Sequence, residues 1–515
     1  MTKLTTPKSS SIFWTEDRPS PWAFALAIVL NALLYWRSYT GVPIWDDVTY
    51  WFFDPWLHKA SFGWIWKYST WPFSVYLQKY LQMSFGTKWF AYHSFSVLVH
   101  SVNSLLVYVL LRSLNLREKL AFAGFLLFLI HPASSITVGW MIQFKTLVCF
   151  TFAILSLIIF IKGRAPADFG ASYLLYLFSI LSKSASLPLP IALLFLLRRP
   201  LKRKKNLYVI PFFLIAAFGA WRINFSKVAV EGVKEALEST GRGIPKAQES
   251  IQKEEAPPTP EEEAIARNAQ ENVISSSNAT PEGFNHSLEG SRKKMKMVEL
   301  SPIQARKRLL IKTLNYYFWQ SFFPVNNVPV KGQNPFPPDI FDYLHIVFLA
   351  ILFYFSGQLG LISLLAMGHV FLLPYLGLIP APYMNVTWVS DQHLYFALPF
   401  FLALGLVLLD LAKFKYKEIL VGVFVFFFMF KTFEASGFYR DSYTFYGSSI
   451  DANYDNTPLV YNLAILYIAN GKNNDAVDLL EKIFTYSRKE RYIRQDKYFP
   501  YLVQLYSRLE PYNSP

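Results

Sequence analysis

Apolar runs of helical length, separated by short charged breaks, set the pattern of this chain. Residues 120–130, 147–161 and 396–409 carry no charged side chain. Runs approaching twenty apolar residues match the ~30 Å hydrocarbon core of a bilayer. In lipid such runs must be helical, because no solvent satisfies free backbone N–H and C=O groups. The sequence therefore predicts about eleven spans, near residues 22–40, 89–111, 117–131, 137–161, 170–184, 187–199, 207–223, 341–357, 359–375, 394–411 and 418–435. The expected fold class is an all-α polytopic membrane protein.

The charged breaks alternate. Arg112, Arg117 and Lys119 follow the second run, and Lys162 and Arg164 the fourth. Arg198, Arg199, Lys202, Arg203, Lys204 and Lys205 follow the sixth, and Lys413, Lys415 and Lys417 the tenth. All of these breaks share one side if the N-terminus is cytoplasmic, as the positive-inside rule requires. An odd number of spans then leaves the C-terminus outside. Glu16, Asp17 and Arg18 precede the first run, which lacks a small-residue cleavage site. It reads as a retained span, not a cleaved leader. The expected location is a membrane, with a bacterial inner membrane and a periplasmic tail favoured.

Larger pieces fall on the external side. Residues 41–88 form an aromatic first loop, which predicts helices lying in the interface. Residues 224–305 form a polar insertion, and its acidic, proline-broken stretch at 254–263 predicts little stable structure across 231–306. Residues 307–324 are aromatic and amphipathic, and read as an interfacial helix because a span there would invert the downstream charge pattern. The transmembrane domain is expected to cover 1–438 and a tail domain 439–515. In the tail, Leu463, Ala464, Tyr467, Gly471, Ala476, Leu480 and Ile483 have the spacing of one tetratricopeptide-type helix hairpin. Residues 490–508 could supply a further helix pair or a cap. One or two such repeats rarely stand alone, so the tail is expected to lean on the membrane domain or on a partner protein.

Composition changes this picture little. The chain is 53% hydrophobic, with a formal net charge of +15. In a soluble protein that charge would suggest nucleic acid. Here the basic residues lie in short loops where membrane anchoring puts them, and no nucleic-acid partner is expected. Cys149 is the single cysteine, which excludes an internal disulfide framework and a site of several thiolates. No zinc spacing, phosphate-cradling Gly-rich loop or nucleophile elbow is present. Nor is there an internal duplication of the transporter kind.

Candidate chemistry begins just past the first span, at Trp45-Asp46-Asp47. Two adjacent carboxylates at a membrane surface could supply a general base that activates an acceptor hydroxyl, with or without a divalent metal. They could equally cap an interfacial helix, since Asp is a good N-cap. His93 and His100 lie seven apart on one face of the second span. They read mainly as helix-to-helix hydrogen-bonding groups.

The order of elements resembles the GT-C class of membrane glycosyltransferases, and most of all the tetratricopeptide-repeat transmembrane O-mannosyltransferases and their bacterial relatives. The residues that carry the likeness are Trp45-Asp46-Asp47, Trp71-Pro72, Tyr92-His93 with His100 and Asn103, and His131-Pro132 with Val138 and Trp140 following. Leu181-Ser182-Lys183, Gly377-Leu378-Ile379-Pro380 and Asp391-Gln392-His393-Leu394-Tyr395 complete it. It covers nearly the whole chain apart from 224–305. It implies transfer of a sugar from a polyprenyl-phosphate donor to a hydroxyl acceptor on the external face. Asp46 and Asp47 are then the catalytic candidates and the metal ligands if a divalent metal takes part. His131, Lys183, Asp391 and His393 follow as substrate-binding candidates.

The departures are equally specific. Ile136, Phe144, Ser184 and Gln392 stand where the family has Glu, Arg, Glu and Arg. The missing cations are those expected on a lipid phosphate, which the fork of Arg suits well. Lys145, beside Phe144, could substitute. It could also simply snorkel to the external interface. A relative that has lost its chemistry, and serves as a scaffold or accessory subunit of a membrane complex, is the alternative reading.

Overall fold

The computed structural model describes residues 20–52, 57, 60–197, 207–239, 302–332, 359–377, 382–412, 414–452, 456–489 and 499–509. Among them the chain is helical throughout, with no strand. In chain order the helices are α1 (Pro21–Leu34), α2 (Phe62–Tyr68), α3 (Pro72–Phe85), α4 (Trp89–Ser113), α5 (Glu118–Leu129) and α6 (Ser135–Gly139). Then come α7 (Phe144–Lys162), α8 (Pro166–Ser182), α9 (Leu189–Leu197), α10 (Ile210–Ser239), α11 (Pro302–Gln320) and α12 (Leu359–Leu372). The last are α13 (Leu398–Leu411), α14 (Lys417–Ser436), α15 (Ser442–Ala452), α16 (Thr457–Ala469), α17 (Asn473–Lys489) and α18 (Phe499–Leu509).

Among the described residues, four helical stretches are long and apolar enough to cross a membrane: Trp89–Ser113, Met141–Lys162, Leu207–Phe225 and Lys417–Tyr439. Glu118–Leu129 and Pro132–Gly139 make a fifth if they count as one span bent by 48°. The bend has a local cause. Pro132 cannot continue the helix, and the residue before a proline is pushed to extended backbone, as His131 is, with φ −74° and ψ 127°. Other apolar helices, such as Pro21–Leu34 and Leu398–Leu411, have only 14 residues. At 1.5 Å per residue they reach about 21 Å, short of a full bilayer core by themselves. The span expected at 341–357 and most of the 224–305 insertion lie outside the described residues. At the insertion's edges, α10 runs on to Ser239 and α11 begins at Pro302.

Two buried clusters organise the molecule. The larger joins α1, α4, α5, α7, α8, α9, α12 and α13 through residues such as Leu111, Phe125, Phe150, Ile154 and Phe401. The end of α11 enters it with Tyr317 and Phe318, so this aromatic segment is seated in the bundle. The second cluster combines Trp51 and Phe52 of the first loop, Phe144 at the start of α7, and Phe445, Leu463 and Leu480 of the tail. The tail therefore shares a core with the first loop. Its α16 and α17 form a hairpin with Ala464 and Ala476 fully buried between them. The turn passes through Gly471 at φ +69°, a left-handed conformation that glycine adopts without cost.

Candidate functional site

The Asp pair sits in a tight turn between α1 and the first loop. Trp45, just before it, has φ +44°, a rare conformation for a bulky residue. Its ring is held by Trp140, Phe445 and Tyr446 at centroid distances of 6.3, 5.8 and 5.9 Å. Asp47 is fully buried. One carboxylate oxygen accepts from the Ile44 N–H at 3.1 Å and the other from the Ile142 N–H at 2.7 Å. Asp47 thus staples the first loop to the turn that starts α7. Burial pushes its carboxyl well above the usual carboxylate range, against the pull of the two N–H donors. Each oxygen thus carries one backbone hydrogen bond.

Asp46 differs. It is only partly buried, and no backbone N–H offsets the loss of solvent. Burial raises its carboxyl above the ordinary range, and the nearby Lys145 ammonium opposes that rise. Lys145 lies on the first turn of α7, with its ammonium over the Trp71 ring at 5.3 Å. Lys183 stands behind it. Ser179 ends the regular bonding of α8 by accepting from the Lys183 N–H, and Lys183 itself is extended. Its ammonium donates to Gln143 Oε1 at 3.1 Å and Thr146 Oγ1 at 2.6 Å. Lys145 and Lys183 are near enough to repel each other. His393 completes this side. Its ring stacks on Tyr375 at 3.8 Å, bonds through Nδ1 to the Tyr317 hydroxyl at 3.1 Å, and feels the charge of Lys183. Two buried polar atoms in this region, Trp71 Nε1 and Gln392 Oε1, have no hydrogen-bond partner among the described residues. Such groups usually mark a place for water or ligand.

Of the remaining candidates, His131, Asp391 and His100 are tied into the packing by hydrogen bonds. His131 accepts from the Ala133 N–H through Nδ1 at 3.1 Å and donates through Nε2 to the Ser321 carbonyl at 3.2 Å. It caps the turn at the helix break and offers no nitrogen to a ligand. Asp391 accepts from Tyr316 at 2.6 Å and from Gln320 at 3.3 Å, and pairs with buried Lys331 at 3.3 Å. It ties α11 to the chain before α13. His100 bonds Tyr395 at 2.7 Å and the Leu129 carbonyl at 3.0 Å, joining helices. His93 is buried against the backbone of Gly41. It lies so close to Gly41 that a Cβ there would sit 2.8 Å from Nε2.

Two of the residues that depart from the resembled pattern have a packing role. Phe144 lies 5.0 Å from Trp51 in the aromatic core, and Ile136 is buried in the same cluster. Gln143, Thr146, Trp71 and Tyr446 were not among the sequence candidates. Gln143 and Thr146 flank Lys145 and could have been suspected as polar residues opening an apolar helix. Tyr446, 400 positions from Asp46, gave no local signal. Among the described residues no group of three or more His, Cys, Asp and Glu side chains could hold a metal ion. No protein-family model, curated protein or solved structure matches the chain.

Proposed function

We propose that this chain is a GT-C-like membrane glycosyltransferase with about eleven spans, an external face carrying the Asp pair, and a tetratricopeptide-like tail on that face. Its donor is a polyprenyl-phosphate sugar and its acceptor a hydroxyl group. The observation that carries this reading is Asp46. It is a partly exposed carboxylate facing Lys145, with Lys183 behind. In the reaction Asp46 takes the proton of the acceptor hydroxyl. The acceptor oxygen bonds the anomeric carbon as the bond from that carbon to the phosphate oxygen breaks. The electron pair leaves on the lipid phosphate, where Lys145 and Lys183 stabilise the charge. Asp47 holds the loop in place and takes no proton.

The test is transfer from a radiolabelled polyprenyl-phosphate sugar by the purified chain in liposomes. Asp46→Asn should lower the rate by roughly 10²–10⁴-fold, the usual contribution of a general base. An unchanged rate would sink the reading. A second reading has its own support: Phe144 and Ile136 are core residues and Asp391 is neutralised by Lys331. These features suit a relative that keeps the fold as a scaffold for another membrane protein. Co-purification of a stoichiometric membrane partner, with no donor bound, would favour it.

A further inference from the structure

We infer that the first helix of the tail is a working part of this site, with Phe445 and Tyr446 as positioning residues that hold Asp46 toward Lys145 by clasping Trp45. The inference rests on the reading of Asp46 and Lys145 as the site. The starting point is the backbone. A tryptophan at φ +44° is strained, and such a conformation persists only where its surroundings over-determine it. What surrounds Trp45 comes from two distant parts of the chain. Trp140 lies on one side, and Phe445 and Tyr446 of α15 on the other. Phe445 is itself wedged against Trp140 at 5.6 Å and fully buried.

Asp46 therefore sits between two anchors. On its C-terminal side Asp47 is bonded to Ile142 at the start of α7. On its N-terminal side Trp45 is gripped by the tail. With both anchors in place, the turn has one geometry and Asp46 faces Lys145. With the tail displaced, Trp45 is free to relax to the ordinary negative-φ region, and Asp46 turns with it. Tyr446 is also close enough to Asp46 to feel its charge. The site is thus assembled from the first loop, α7 and the tail, and whatever moves α15 changes it.

The experiment uses the full chain in nanodiscs with two readouts. One is carbodiimide modification of Asp46, followed by mass spectrometry. The other is binding of a polyprenyl monophosphate. Phe445→Ala should raise Asp46 modification and weaken probe binding, each on the order of tenfold, as expected when a reacting group is misplaced by about an ångström. Tyr446→Leu, at the rim of the clasp, should act in the same direction more weakly, and it decides the matter if Phe445→Ala does not fold. Trp45→Gly should behave like Phe445→Ala, because glycine adopts left-handed and ordinary backbone alike and has no ring by which the tail could hold it in the first. Leu480→Ala opens a cavity in the far hairpin of the tail and should change neither readout. Wild-type modification of Asp46 in the clasp variants would overturn the inference, and so would an equal effect of Leu480→Ala. If the wild-type chain fails to bind the probe, the functional reading falls, while Asp46 modification still decides the clasp.

Discussion

Asp46 and Asp47 are adjacent in sequence and opposite in role. Asp47 gives both oxygens to backbone N–H groups, of Ile44 and of Ile142. Asp47→Ala should therefore strand two buried donors and cost about 1–3 kcal/mol for each, read as a lowered midpoint of thermal unfolding. Asp46→Asn should leave that midpoint unchanged. For Asp46 the pH dependence follows from its surroundings. Burial holds its carboxyl above the ordinary range, and the base form exists only above the folded value. Transfer should rise with pH through a midpoint above the ordinary Asp value of about 4. Lys145 pulls that value down, so Lys145→Gln should move the midpoint to higher pH. A midpoint that stays put or falls would show that Lys145 does not act on Asp46. The sequence made the Asp pair conspicuous but could not divide the roles, because the donor that claims Asp47 lies 95 positions away. The same holds for Lys183, whose partners Gln143 and Thr146 are on another helix.

At the scale of elements, apolar run length made the long helices legible, whereas His131-Pro132 was read only as part of a likeness and the bend it makes between α5 and α6 was not foreseen. What each polar residue does inside the bundle was not legible, because that depends on which helix lies opposite. Asp391 shows this. Its sequence neighbourhood suggested a substrate site, yet its oxygens are occupied by Tyr316 and Gln320 of α11 and by Lys331. Lys331 in turn donates to the carbonyls of Asn326 at 2.6 Å and Val328 at 3.1 Å. Nearby, Asn456 at the start of α16 donates to the carbonyls of Lys331 and Val386 at 3.3 and 2.7 Å. The strap around Lys331 thus links α11, the chain before α13 and the tail. Lys331→Met should cost about 3–5 kcal/mol, because it leaves the Asp391 carboxylate buried and unpaired. The double variant with Asp391→Asn should regain most of that loss. If the double variant unfolds as readily as the single one, the pair is not what stabilises the strap.

Across the whole molecule, contacts sort into two ends. At one, Asp410 closing α13 bonds Arg117 at 3.0 Å and Lys417 at 2.7 Å. This joins the breaks after the second and tenth apolar runs, both of which the charge pattern assigns to the cytoplasm. At the other end the turn after the first run, with Trp45, meets the tail after the last run, with Phe445 and Tyr446. The proposed topology, with the N-terminus inside and about eleven crossings, is compatible with both pairings. The prediction is direct. Cys149 is buried, so the native chain should react little with a membrane-impermeant maleimide. Lys482→Cys, on the exposed face of α17, should label in intact cells, and Lys119→Cys, exposed at the start of α5, only after permeabilisation. The reverse pattern would invert the molecule. It would put Asp46 and the tail in the cytoplasm, away from the face on which a polyprenyl-phosphate donor is proposed to be used. Labelling of both positions from one side would mean that the span count between them is wrong by an odd number. Either result would remove the basis for treating the tail and the Asp pair as parts of one external site.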